Sequence, residues 1–146
     1  MGESAAVETN GAAGAAQPRS STGDESTADG HVQLVLPALP QFAPIARVAL
    51  ASLALRQGFD YSEVEDLRLA VDEGMVLLLG VADRRGQIRL DVSLAPERVE
   101  VVLTGEFEGA VEAWAVERFY RLAGELVDHH EIDPDELTVE FVISHS

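Results

Sequence analysis

The chain has 146 residues, 26 of them acidic and 10 basic for a net charge of −16, with 47% hydrophobic residues and no cysteine. A chain this acidic repels phosphate backbones and anionic lipid surfaces, which argues against direct nucleic-acid or membrane partners and favours basic or mixed-charge proteins. Without cysteine there is no disulfide framework, thiolate metal site or thiol nucleophile, and the apolar core of an export signal is missing from Met1 to Gly30, so a cytoplasmic protein is expected.

Residues 1–30 consist mainly of Ala, Gly, Ser, Thr, Glu and Asp, with Arg19 the single basic residue and no Leu, Ile, Phe, Tyr or Trp. Such a segment buries too little surface to offset its chain entropy, and a disordered acidic tail is predicted. Residues 31–146 then form one domain of ordinary length. Val32, Leu34 and Leu36 mark a first strand that the prolines 37, 40 and 44 end. Pro44 suits the first turn of a helix and Gly58 the position after its end. The stretch between, Ile45 to Gln57, is apolar nearly all round and is expected to be covered on more than one side.

A second helix is predicted from Ser62, whose spacing to Glu65 is that of a capping box. Val64, Leu67, Val71, Met75 and Leu78 form its apolar stripe, with Glu73 nearly opposite, between Leu69 and Leu77. Gln87 to Leu94 and Arg98 to Leu103 alternate as two strands of a hairpin turning at Ala95, Pro96 and Glu97. A third helix is expected from Ala110 to His129, with Trp114 and Tyr120 at the core or its edge, and a last strand from Leu137 to Ile143. This order suggests an α/β two-layer sandwich, a mixed sheet with helices on one face.

Two segments carry a resemblance. Ile45-Ala46-Arg47-Val48-Ala49-Leu50-Ala51-Ser52 and Asp66-Leu67-Arg68-Leu69-Ala70-Val71-Asp72-Glu73 resemble the first two helices of the bacterial anti-sigma factor serine kinases of the RsbW and SpoIIAB type, within the GHKL (Bergerat-like) ATP-binding superfamily. The resemblance implies that the second helix carries a catalytic glutamate and, four residues on, an asparagine that helps hold Mg²⁺ against ATP. Glu73 matches the glutamate; Leu77 stands at the asparagine position and offers no oxygen to a hard cation. The family's adenine-reading aspartate and its glycines fall in Leu103-Thr104-Gly105-Glu106-Phe107-Glu108-Gly109, with Gly105 at the aspartate position, Phe107 at a glycine and Glu106 a substitute carboxylate one residue away. Past Gly109 the chain runs into Ala110, Val111 and Glu112, with no glycine-rich turn to present N–H groups to phosphates and little room for a lid.

Glu73, Leu77, Gly105, Glu106 and Gly109 therefore outline a degenerate ATP site, with Glu73 a vestigial general base or a plain helix carboxylate. Arg47 matches a family position implicated in partner contact and catalysis, although a lone basic residue on an apolar helix also snorkels or pairs with a carboxylate. His129, His130, Glu131 and Asp133 lack metal-ligand spacing, so no metal site is expected.

The leading reading is a regulatory protein resembling an anti-sigma factor, binding a sigma factor or a STAS-type antagonist with nucleotide binding lost and no cofactor. It is expected to form a homodimer. Two alternatives stand beside it: a divergent but active serine kinase using ATP and Mg²⁺ through Glu73 and Glu106, and a non-catalytic subunit that pairs with an intact homologue.

Overall fold

A computed structural model describes residues 7–9, 30–81 and 85–145. The period-two stretches build one six-stranded sheet: β1 (Val7–Thr9), β2 (Gly30–Pro37), β3 (Gln87–Ala95), β4 (Arg98–Glu106), β5 (His129–Asp133) and β6 (Thr138–Ser144), in spatial order β1-β2-β3-β4-β6-β5. Every described pairing is antiparallel, so the expected mixed sheet is corrected. Three helices accompany the sheet: α1 (Ala43–Arg56), α2 (Tyr61–Leu79) and α3 (Ala113–Ala123).

The core lies between the helices and one sheet face. Leu34 and Leu36 of β2, Ile88, Leu90 and Val92 of β3, Val99, Val101 and Leu103 of β4, and Val139 and Phe141 of β6 are buried. They alternate with residues of the other face, which are mostly polar but include Val35, Val102 and Val142, as the pleat requires. On that outer face Asp91 accepts hydrogen bonds from Gln33 at 2.8 Å and Arg89 at 2.9 Å, and Glu106 accepts from Gln87 at 2.6 Å and from Arg89.

Helix α2 starts two residues earlier than its sequence suggests. Asp60 is the N-cap, accepting from the Glu63 amide at 2.8 Å, while Glu63 reaches back to the Asp60 amide at 2.9 Å. Ser62 and Glu65 share this spacing, but the apolar flanks decide between the two registers. With Asp60 as cap, the residue before it and the fourth of the helix are Phe59 and Val64, both buried, which is the arrangement of a hydrophobic staple. A cap at Ser62 would put Tyr61 and Asp66 in those places, and Tyr61 is exposed.

Helix α1 buries only Ala46, Leu50 and Ala54, one row at four-residue spacing. Ile45, Val48 and Leu55 are exposed, Val48 at 67%, so the expectation of cover on several sides is not met among the described residues. Gly58 (φ 89°) turns the chain out of this helix in a left-handed conformation that favours glycine. Gln57 beside it is buried and donates to the Ala95 carbonyl at 2.6 Å, tying the end of α1 to the hairpin.

The largest departure lies after β4. The expected long third helix is replaced by α3, a 3-10 turn over Gly124–Leu126, and the edge strand β5. The strand forms because β6 offers an unpaired edge: His130 aligns with Phe141 and Ile132 with Val139. Within residues 1–30, expected to be a disordered tail, Val7–Thr9 form edge strand β1 against β2, and Gly30 already belongs to β2. The rest of that segment lies outside the described residues.

Candidate functional site

The second half of α2 and α3 face each other across a cavity of about 70 Å³. Helical periodicity places Glu73, Val76, Leu77 and Gly80 along the α2 wall, and Trp114, Ala115, Arg118 and Phe119 along the α3 wall. The lining is almost wholly hydrocarbon. Its charged groups are Glu73, Glu112 and Arg118, and Arg118 Nε donates to Glu73 Oε1 at 3.1 Å. The Glu73 side chain is only 12% exposed, while Arg118 reaches in from solvent at 42%.

Glu73 and Leu77 thus stand together, one helical turn apart, as their spacing predicts. Leu77 is buried at 4% exposure. Gly109 lies against Val81 of this lining, where an added Cβ would come within 3.5 Å of the Val81 carbonyl oxygen. The other two positions of the expected site are displaced from it by the chain itself. Gly105 is on the helix-side face of β4, and the Phe107 ring folds directly over it: a Cβ added at Gly105 would meet Phe107 Cζ at 2.6 Å. The same ring covers Gly86, so both glycines are there to admit an aromatic side chain of this chain. Glu106, offered as a substitute carboxylate, points the other way. Strand alternation puts it on the outer face, where Arg89 and Gln87 hold it. This corrects the expectation that it could serve the same site as Gly105.

Arg47 is not in the cavity. Its Nε lies 3.0 Å from Asp72 Oδ1 across the α1–α2 seam, off the N–H direction, so the contact is an ion pair without a hydrogen bond. Of the histidines considered for metal, His129 is exposed, and His130 turns inward against the rings of Tyr120 (4.9 Å) and Phe119 (6.1 Å). Adjacent strand positions face opposite sides, so the two do not converge. Trp114, expected at the core or its edge, is 65% exposed at the cavity mouth.

Two features escaped the sequence. Arg118 is the cation that meets Glu73, and its place four residues after Trp114, on one helical row, was the available signal. The other is His145, whose Nδ1 sits 2.6 Å from Glu63 Oε1 with its ring stacked on Phe59, pinning the C-terminal segment to the start of α2. The hydrogen bond to Glu63 raises the His145 pKa above its ordinary value. No signal in the sequence joins residues so far apart. Asp60, Glu63 and His145 form a tight polar cluster, whose two carboxylates cap the helix.

No protein-family model matches the chain. It is 30% identical over 79 residues to the serine-protein kinase RsbW of Bacillus subtilis, an alignment covering 52% of this chain and 49% of that one. It is 27% identical over 84 residues to RsbW of Bacillus velezensis, covering 56% and 52%. The chain thus spans about half the length of the curated relatives it matches. In fold it resembles the crystal structure of the RsbU and RsbW domains of a Mycobacterium tuberculosis protein, with a TM-score of 0.60 and 20% identity over 79% of this chain and 32% of that one. Among the described residues no helix is long and apolar enough to cross a membrane. The likeness carried by the first two helices therefore extends over about half of the sequence and to the fold, and the proteins this chain is similar to are the RsbW serine-protein kinases.

Proposed function

We propose that this chain is a regulatory binding protein of anti-sigma factor character that acts by occluding a protein partner, a sigma factor or a STAS-type antagonist, without using ATP. The observation that carries this reading is the pair of positions on α2. A buried hydrocarbon, Leu77, stands where Mg²⁺ would take an oxygen, and Glu73 one turn away is already engaged by Arg118. Phe107 supports it further by filling the space above Gly105. The residues present do not fit Mg²⁺-bound ATP. Recognition then rests on surface chemistry, in which the excess of carboxylates favours and accelerates approach by a basic partner segment at low salt. Arg47 is the first candidate for a contact, acting once a partner draws it from Asp72. Pairing of two copies would cover the exposed apolar row of α1, and concentration-dependent light scattering tests that homodimer.

The competing reading is an active serine kinase, which the names of the relatives favour. Calorimetric titration of the full chain with ATP and Mg²⁺ separates the two. No binding tighter than about 100 μM is expected, and a tighter complex overturns the nucleotide-independent reading.

A further inference from the structure

We propose that the cavity between α2 and α3 is a binding site for a small organic cation with a compact apolar body, such as an arylalkylammonium. This goes beyond the partner-binding reading and rests only on its premise that the cavity holds no nucleotide. The cavity floor, formed by Leu77, Val81, Val111 and Phe119, is hydrocarbon and gives a phosphate or sugar nothing to bond. It suits an alkyl or aryl group. At its mouth Val76 and Trp114 remain 47% and 65% exposed, so this large apolar surface is left in water beside the cavity rather than used in the fold.

The rim sets the charge of the ligand. Two carboxylates, Glu73 and Glu112, face one guanidinium, Arg118, on a chain whose net charge is −16. An anion is repelled and a cation drawn in. Arg118 occupies Oε1 of Glu73, and a ligand ammonium can take Oε2 without displacing it. The exposed indole of Trp114 offers a further face to the cation. Anchoring the charge on the little-exposed Glu73 leaves the apolar body to fill the cavity.

Trp114 is the single tryptophan of the chain and reports directly on occupancy. The full chain is titrated with phenethylammonium and, separately, with hydrocinnamate, which has the same skeleton and the opposite charge, while the indole emission is followed. Saturable binding of the amine at about 1 mM or tighter is expected, with the carboxylate weaker by about tenfold or more. Glu73→Gln should remove that preference, and Ala115→Phe, which fills the cavity, should abolish the response; circular dichroism checks that each variant is folded. If Ala115→Phe does not fold, Glu73→Gln alone decides. The proposal is overturned by no saturable change with the amine, by equal affinity for the two probes, or by unaltered amine binding in Glu73→Gln. Tight ATP binding would sink both this proposal and the reading of the preceding subsection, because Glu73 and Leu77 belong to the same cavity, whereas failure of the amine alone would leave that reading standing.

Discussion

At its N-terminal end α2 is closed by polar groups that satisfy one another, Asp60 with Glu63 and Glu63 with His145, whereas towards its C-terminal end it borders an apolar cavity spanned by one ion pair. The same helix therefore has one end consumed by structure and one end with chemistry to spare. An exposed helix start needs only partners for its free N–H groups, and local residues supply them. The cavity depends on how far α3 stands from α2, which is set by side chains distant in sequence.

The comparison is tested most severely by Leu77→Asn. Placing an amide in this buried position should cost about 2–4 kcal/mol, measured by denaturant unfolding, from lost apolar burial and incomplete hydrogen bonding. It should not create ATP affinity, because one oxygen does not supply a phosphate cradle; nucleotide binding by this variant would show that the C-terminal end of α2 is closer to a working site than its apolar lining indicates. Gly105→Ala comes next. The added Cβ would drive into the Phe107 ring, and a loss of about 1–3 kcal/mol is expected from the same measurement. A neutral result would mean that the ring yields easily and the space over Gly105 is less firmly filled.

At the opposite end, Asp60→Ala removes the N-cap acceptor and should cost about 1 kcal/mol in thermal or chemical unfolding. The smallest effect is the most specific. Because His145 titrates above its ordinary 6.5 in the folded chain, chiefly through its hydrogen bond to Glu63, the protonated ring favours the folded state. That contribution is fully present below the unfolded pKa and disappears as pH rises through the folded one. His145→Ala should therefore lower the melting temperature more at about pH 5.5 than at about pH 8.5 relative to the parent chain. An equal effect at both would reduce His145 to a packing residue on Phe59.

Much of the fold was legible in the sequence because its signals are periodic. The alternation from Ile88 to Leu94 and from Val99 to Leu103 marks β3 and β4 on sight, and the Val64–Leu78 stripe marks α2. The segment after Leu126 misled for a physical reason. Leu126 and Val127 sit at spacings that continue a helix, and only the free edge of β6 draws the residues just after them, His129–Asp133, into β5. A period-two signal was present in His130 and Ile132, too short to outweigh the helical one.

The candidate site divides along the same line. Glu73 and Leu77 are one turn apart on any α-helix, so their juxtaposition followed from the sequence alone, as did the net acidity of the chain. The opposite faces of Gly105 and Glu106 followed only once the strand was seen to continue to residue 106. The ion pair of Arg118 with Glu73, the Phe107 ring over Gly105 and the cavity beneath α3 belong to the tertiary structure. Each joins residues from separate elements, and the distance between packed elements is fixed by the summed volume of the core, which no local pattern encodes.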